Sequence, residues 1–171
     1  ILLSFALLLT QPWIYAEEEW VTVGMPGNRA DKTGYGEVAY EFQIMKFEVT
    51  VRKYAEFLNC VASISDPHEL WVTAMGEHVI TDLGQGGIRK DVPQCIRRVG
   101  QPGAWKYVPV PERIECPVFF VSFNSALRYA NWHHHGGQKG DTESGAYDLN
   151  QGTKVVRLAA AKVWLPSENE W

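Results

Sequence analysis

The clearest pattern of apolar and polar positions lies around Thr50, where the hydrophobic period changes. Over residues 38–47 the apolar side chains fall on alternate positions, which is typical of a half-buried strand. After Thr50 they recur at helical spacing, from Val51 to Val61, with charged residues on the other face. The Thr50 hydroxyl can accept a hydrogen bond from the first helical turn, a cap worth about 1 kcal/mol. A strand followed by a capped helix is therefore predicted here.

A second strand-to-helix unit is predicted further along the chain. Residues 117–123 form a short apolar run that favours a strand. Ser122 is placed to cap a helix that continues through His133, and Gly136 with Gly137 would end it. The strand-to-helix design is thus repeated, although the two segments share no residue pattern long enough to be an internal repeat.

The segment between these units is predicted to be mostly irregular. It contains many glycines, prolines and isolated apolar residues, and long irregular segments of this kind are often functional. Residues 104–110 alternate and should form a short strand. The glycines at 84, 86 and 87 lack the Lys-Ser/Thr of a phosphate loop, so a glycine-rich turn is expected.

The last part of the chain combines an apolar run with a helix-start signal. Residues 154–166 are apolar enough for one or two strands. Ser167 and Glu170 then form a capping box, so Glu170 and its neighbour Glu168 are interpreted as cap or surface residues. Because one helical turn is not stable alone, we expect this chain to be a fragment that is incomplete at its C-terminus.

Three consecutive histidines, at positions 133, 134 and 135, are candidate metal ligands because imidazole binds zinc, copper and iron. Successive helical residues point about 100° apart, so the three cannot converge on one ion. A cationic cap at the helix C-terminus is the preferred interpretation. The adjacent Trp132 is expected to be a core aromatic whose indole is hydrogen-bonded.

Composition narrows the class of protein. The chain has 171 residues, 46% of them hydrophobic, and a formal net charge of −4, which fits an ordinary globular protein of one domain. No basic stripe is present, which argues against a nucleic-acid partner. The only compact positive group, Arg89 and Lys90 with Arg97 and Arg98, is interpreted as a solvated loop.

Residues 1–16 are interpreted as a partial signal peptide. A short apolar run is followed by Pro12 and by a small residue, Ala16, before three glutamates. The run is too short to span a bilayer, which takes about 20 residues. Export to the periplasm or beyond is therefore predicted, with no membrane span after removal of the signal.

The three cysteines, Cys60, Cys95 and Cys116, leave an odd number in a chain predicted to reach an oxidising compartment. No pair has CxxC spacing, so zinc-ribbon and thioredoxin-like sites have no support. Each is interpreted as a buried or surface thiol. None is assigned a catalytic role.

Eight runs along the chain form a recognisable series. In order they are PGNRADKTGYGEVAYEF, KFEVTVRKYAEFLN, DPHELW, MG, GGI, PVFFVSFNSALRYANW, TESGAYDL and WLPSENEW. Together they resemble the formylglycine-generating enzyme family, also called sulfatase-modifying factor domains. The resemblance covers roughly residues 20–171 and is closest to the N-terminal portion of the domain in the secreted bacterial branch. Where that branch often has Trp-Leu-His-Asn-Gly, this chain has WHHHG.

The resemblance implies an α+β fold, an elaborated C-type-lectin-like domain with long irregular loops. It implies oxidation of a sulfatase cysteine to formylglycine, using oxygen, a copper ion held by two cysteines, and bound calcium. In the family those ligands lie in the C-terminal portion, beyond the part that this chain resembles. Within this chain, no catalytic, cofactor-binding or metal-binding residue is therefore assigned, and its own activity as an enzyme is left open.

Two other functions remain as alternatives. A lectin-like domain without catalysis could bind a protein or glycan of the cell envelope, because a fold does not fix a function. A relative with sulfoxide-synthase chemistry is ranked third, because it would need a further domain with an iron-binding His motif. The expected partner is a sulfatase or another envelope protein.

Overall fold

A computed structural model describes residues 19–77, 79–82, 89–92, 94–151 and 155–171 of this α+β chain. The predicted signal peptide and the predicted glycine-rich turn lie outside the described residues. In chain order the elements are β1 (Trp20–Val23), β2 (Phe42–Met45), α1 (Val51–Val61), α2 (Thr73–Gly76), β3 (Val79–Asp82), β4 (Arg89–Val92), β5 (Ile96–Gln101), β6 (Ala104–Pro109), a 3-10 turn (Pro111–Arg113) and α3 (Phe123–His134).

The described strands pair two by two, each pair antiparallel. β1 pairs with β2, β3 with β4, and β5 with β6. The β5–β6 hairpin lies against α1 and α2, because Tyr107 of β6 bonds to α1 and Ile96 of β5 is buried in the same core. Short paired strands placed around helices leave the connecting loops to form much of the surface.

Two of the three predicted helix starts are confirmed, at Thr50 and Ser122, whereas no helix begins at Ser167, where residues 168–170 form a turn. The Thr50 hydroxyl accepts a hydrogen bond from the amide of Lys53 at 3.3 Å, and the Ser122 hydroxyl accepts one from the amide of Ser125 at 3.1 Å. The predicted end of α3 is also confirmed. Gly137, which follows α3, has a positive φ of 71°, a conformation that glycine adopts without steric cost.

An asparagine at the same position of each helix fastens a neighbouring segment. Asn59 and Asn131 each stand nine residues after the capping residue, Thr50 or Ser122. The Asn59 side chain accepts from the Tyr107 amide at 2.9 Å and donates to its carbonyl oxygen at 2.7 Å. The Asn131 side chain does the same with Tyr147, at 2.8 and 3.0 Å. The two helices therefore share both a capped start and an asparagine that hydrogen-bonds the backbone of a neighbouring segment.

The main core lies where α1 meets α3 and the β5–β6 hairpin. Phe57 is fully buried, with its ring centroid 5.4 Å from those of Tyr54, Tyr129 and Trp132. Burying a large aromatic side chain is worth about 2 to 3 kcal/mol, so these rings supply much of the driving force for docking the helices. On the other side of α3, a smaller cluster contains Leu127, Ala130, Ala146 and Tyr147.

Two predicted strands are not formed. Residues 117–123 make only an isolated bridge, from Pro117 to Thr50. Phe120 has a φ of 62°, a left-handed conformation that no strand can contain. Described residues 155–166 make only a bridge between Arg157 and Tyr147. Both runs are apolar because they pack against the core, but they do not pair with another strand.

The middle of the chain is more regular than predicted. It contains α2, β3, β4 and β5 in addition to the strand expected at residues 104–110, which is confirmed as β6. Arg97 and Arg98, predicted to lie in a loop, stand in β5, and Arg89 with Lys90 stands in β4. The strand expected over residues 38–47 is shorter, because only Phe42–Met45 pairs with β1.

Candidate functional site

A cleft of about 450 Å³ opens between α1 and the C-terminal end of α3. It is the candidate site with the most varied chemistry, because an ammonium, a carboxylate, a thiol and an imidazole face it. The Cys60 thiol lies at its wall, 4.0 Å from the carbonyl oxygen of Gly137. The lining residues are Lys53, Glu56, Cys60, Trp132, His133, Gly136 and Gly137.

The thiol of Cys60 is directed at the backbone and is not arranged as a nucleophile. The residue lies in the last turn of α1, which ends at Val61, and it faces the C-terminal end of α3. Its thiol donates to the carbonyl oxygen of Gly137. The cleft therefore has room for a ligand beside a thiol that already has a backbone partner.

The other cysteines are placed no better for catalysis. Cys95 is fully buried among apolar residues, and burial raises the pKa of its thiol. Cys116 is half-buried beside the first turn of α1, where its carbonyl oxygen accepts a hydrogen bond from the Val51 amide at 2.9 Å. All three cysteines are free thiols.

Trp132 is the core aromatic that the sequence predicts, but the prediction for its indole is wrong. The residue is only 8% exposed, and its Nε1 has no hydrogen-bond partner among the described residues. The benzene edge of the indole packs against Gly137, so close that a β-carbon there would lie 3.3 Å from Cζ2. An unsatisfied buried donor costs about 1 to 3 kcal/mol, which the aromatic packing around the ring must offset.

The histidine run diverges at the end of α3. The His133 ring lies 6.2 Å from that of Trp20. His134 Nδ1 accepts a hydrogen bond from the Lys162 amide at 3.0 Å, and His135 Nε2 donates to the Ser144 carbonyl oxygen at 3.0 Å. Burial and the neighbouring His135 and Lys162 lower the pKa of His134. The predicted cationic cap is therefore wrong at His134, which is neutral in its role as an acceptor.

A second, polar cleft of about 220 Å³ lies between the loop after α1 and the loop after α3. Glu143 is central to it. The Arg128 guanidinium of α3 donates to both carboxylate oxygens at 2.7 Å, and His68 Nε2 lies 3.2 Å from Oε1. The hydrogen bonds from Arg128, helped by Thr142, lower the pKa of Glu143 despite partial burial.

The other acids of this polar cleft are likewise occupied by the fold. Asp66 accepts hydrogen bonds from the amides of Leu70 and Trp71, each at 2.9 Å. Asp141 accepts one from the amide of Glu143 at 2.8 Å. Carboxylates held in this way order their loops. The polar cleft is therefore a structural junction between two loops.

The side chain of Glu170 is enclosed by its neighbours and is only 1% exposed. Its Oε2 accepts from the amide and hydroxyl of Ser167 at 2.8 and 2.7 Å, which confirms the predicted capping box. Its Oε1 accepts from Tyr40 at 2.6 Å, Arg157 at 3.0 Å and Trp164 Nε1 at 3.1 Å. We call these five residues the Glu170 cluster.

Hydrogen bonding governs the ionisation of the Glu170 cluster. Burial alone would raise the pKa of Glu170, but the hydrogen bonds from Tyr40, Ser167 and Arg157 outweigh it and lower the pKa to about 2. The same contacts raise the pKa of Arg157, whose guanidinium also stacks 4.5 Å from the Trp164 ring. The capping-box signal found Glu170 and Ser167, whereas no local signal pointed to Tyr40, 130 residues away.

The donor groups of the described residues do not fit the metals that the family resemblance implies. No group of three or more His, Cys, Asp or Glu side chains among them is arranged to hold an ion. Cys95 is enclosed by apolar side chains and is not placed as a copper ligand. Acidic side chains that could bind calcium, such as Asp66 and Glu143, already accept hydrogen bonds from the protein.

Comparison with known proteins gives one match. The family model described as "Sulfatase-modifying factor enzyme 1-like domain" matches residues 23–171. No curated protein and no solved structure matches the chain. Within the described residues, no helix has the length and apolar character needed to cross a membrane.

Proposed function

Because the chain belongs to the sulfatase-modifying factor enzyme 1-like domain family, we propose that it forms the N-terminal part of an exported formylglycine-generating enzyme. The family match over residues 23–171 is the observation that carries this proposal. The substrate would be a cysteine of a sulfatase. Its β-carbon would be oxidised by two electrons to an aldehyde and its sulfur released as sulfide, while oxygen takes up those two electrons and two more from a thiol reductant and ends in the aldehyde and in water. Copper would supply the activation of oxygen when bound, and we propose that its cysteine ligands lie in the remainder of the domain.

The geometry supports a scaffolding role for this part of the proposed enzyme. Its three thiols lie in a helix end, in an apolar core and beside a helix start. The carboxylates of the polar cleft and of the Glu170 cluster hold loops and distant segments together. We further propose that these ordered loops belong to a lectin-like fold with bound calcium in its remaining part.

The test is a peptide oxidation assay on two proteins, this chain alone and the same chain continued to the end of its reading frame. The substrate is a peptide with a sulfatase-type cysteine, supplied with copper, oxygen and a thiol reductant, and the readout is replacement of sulfur by oxygen, followed by mass spectrometry. We expect turnover only from the longer protein. Turnover by the chain alone would show that the catalytic residues have been misplaced.

A cysteine-free form of this region supplies the matched control. Cys60→Ser, Cys95→Ala and Cys116→Ser, combined in the longer protein, should leave the oxidation rate unchanged if the copper ligands lie elsewhere. A folded triple variant without activity would instead assign catalysis to one of these thiols. If the longer protein folds and never oxidises the peptide, the alternative of a binding domain for an envelope protein or glycan takes the place of the oxidase.

A further inference from the structure

One edge of the β5–β6 hairpin is open. The far edge of β6 is covered, because Asn59 bonds to both backbone groups of Tyr107 and the Ser63 carbonyl oxygen accepts from the Trp105 amide at 2.8 Å. At the beginning of β5, the Ile96 carbonyl oxygen accepts from Trp71 Nε1 at 2.9 Å. Beyond Ile96, the strand is exposed to its end.

The pairing register shows which backbone groups of β5 point outward. The Val110 amide donates to the Cys95 carbonyl oxygen at 2.9 Å, so the groups of alternate residues from Cys95 onward face β6. The amides and carbonyls of Arg98 and Gly100 therefore face away from β6. Neither residue has a backbone hydrogen-bond partner on that side among the described residues. Such a row of unpaired groups is a template for an added strand.

The side chains on this edge carry positive charge without acidic partners. Arg97 and Arg98 are neighbours on β5, so their side chains project to opposite faces of the hairpin. Lys106 on β6 lies on the same face as Arg97. All three residues are exposed, and none forms a salt bridge with a described residue. This local charge contrasts with the net charge of −4 of the whole chain.

Arg98 is also held in a fixed position. Its guanidinium carbon lies 4.1 Å from the ring centroid of Trp71 and 4.7 Å from that of Trp105. Contact with two indoles, together with a hydrogen bond to the Tyr107 hydroxyl, restricts the side chain. A cation ordered in advance loses less entropy when it binds a carboxylate.

From these observations we propose that the open edge of β5 binds an extended acidic polypeptide segment, which adds to the hairpin as a short strand. Its backbone would pair with the outward groups of Arg98 and Gly100. Two consecutive acidic residues of the segment would point to opposite faces, one toward Arg97 and the other toward Arg98. Pairing with the β5 edge of a second copy is disfavoured, because it would set arginines against arginines.

The first test measures binding of a fluorescein-labelled short peptide of valine and threonine with two adjacent glutamates, using the whole chain. The control peptide carries lysines in place of the glutamates. Arg97→Glu should weaken binding of the acidic peptide about tenfold, whereas the charge-matched Lys139→Glu, on an exposed loop after α3, should leave it unchanged. Equal loss in the two variants, or equal binding of the two peptides, would overturn the proposal.

The second test separates strand addition from simple charge attraction. Arg98→Gln removes the charge and keeps the outward amide, whereas Arg98→Pro removes both, and proline is tolerated where an edge amide faces solvent. We expect Arg98→Pro to bind about fivefold more weakly than Arg98→Gln. In the unmutated protein, the bound peptide should slow hydrogen exchange at the Arg98 and Gly100 amides. Absence of that protection would refute strand addition even if the proline variant failed to fold.

Other occupants of the edge would give different results. Single-stranded DNA that binds more tightly than the acidic peptide, with equal affinity for Arg98→Gln and Arg98→Pro, would make the edge a nonspecific polyanion site. A dimer detected by analytical ultracentrifugation and abolished by Arg98→Pro would make it a contact between copies. Either result would overturn the proposal of an acidic segment.

Discussion

Glu170 shows how much one side chain can organise in this molecule. Its carboxylate is shielded from water and receives hydrogen bonds from an amide, two hydroxyls, an indole and a guanidinium. Removing the charged acceptor would break five hydrogen bonds at once, which is more costly than losing one exposed ion pair. Glu168, two residues earlier, is exposed and has no comparable contacts.

The ionisation of Glu170 should make stability depend on pH. Its pKa of about 2 in the folded chain lies below that of a free glutamate, about 4.3, so the unfolded chain binds more protons between these values. Stability is therefore fully present above about pH 5 and is lost as the pH falls toward 2. We expect Glu170→Gln to lower the free energy of unfolding at pH 7 by about 3 kcal/mol and to flatten this dependence.

Chemical denaturation at several pH values measures both effects, with Glu168→Gln as the control for removing one negative charge nearby. The control should follow the unmodified chain at every pH. If Glu170→Gln lost stability equally at pH 7 and pH 3, the carboxylate would contribute through packing and not through its charge.

At the scale of secondary structure, the two main helices share a cap and an asparagine fastener. The caps were predictable, because Thr50 and Ser122 precede regular helical patterns and act on the next turn. The contacts of Asn59 and Asn131 were not predictable, because their partners, Tyr107 and Tyr147, lie on other segments, which the helical periodicity does not identify. β5 was missed because IRRVGQ lacks an alternating apolar pattern, since its exposed face carries charge. Strands were wrongly predicted for the apolar runs at 117–123 and 155–166, because residues can be buried against the core without pairing as strands.

The buried hydrogen bonds of Asn131 lead to a prediction about the stability contributed by α3. Asn131→Asp keeps the size and the acceptor but removes the amide donor, so a carboxylate would face the carbonyl oxygens of Thr142 and Tyr147. We expect the free energy of unfolding to fall by about 3 kcal/mol or more, since Asn131 is fully buried. Thermal or urea unfolding measures the loss. Asn124→Asp, on the exposed face of the same helix, should change it by less than about 0.5 kcal/mol.

A substitution at the Ser122 cap measures how much the cap stabilises α3, separately from Asn131 in the same helix. Ser122→Ala removes the acceptor of the Ser125 amide and should destabilise the chain by about 1 kcal/mol. The loss should be visible as a lower urea midpoint with an unchanged slope. Ser122→Asp, which restores an acceptor and places a negative charge at the helix N-terminus, should recover most of the stability. An alanine variant as stable as the parent would mean that the Ser122 hydroxyl is dispensable.

At the scale of the whole molecule, the segment between β1 and β2 contacts the last residues of the described chain near Glu170. Tyr40 donates to Glu170, and the Gly36 amide donates to the Asn169 side chain at 3.1 Å. The segment between β1 and β2 otherwise makes mainly local bonds, such as the one from Asn28 to the Gly36 carbonyl oxygen at 2.6 Å. Local patterns correctly predicted an α+β chain with capped helices, but contacts over more than a hundred residues depend on the assembled core.

This arrangement predicts how the β1–β2 segment responds to loss of one hydroxyl. Tyr40→Phe removes the donor to Glu170 while keeping the ring, so the segment should detach more often from the Glu170 cluster. Trypsin cleavage after the exposed Lys32 should then be about fivefold faster, corresponding to the loss of one hydrogen bond to a charged group. Tyr35→Phe is the matched control, since the contact of Tyr35 is made by its backbone. Equal cleavage of the two variants would rule out the tether.

The bond between Tyr40 and Glu170 also sets an order of assembly. A ribosome releases the chain from its N-terminus, so α1 and the β5–β6 hairpin can dock, and α3 can join them, before residue 170 has been added. The segment that carries Tyr40 must wait for Glu170, and closing so long a loop is entropically costly until the core already holds its ends near each other. We therefore expect the segment between β1 and β2, although it is made early, to be among the last parts of the described chain to reach its final place.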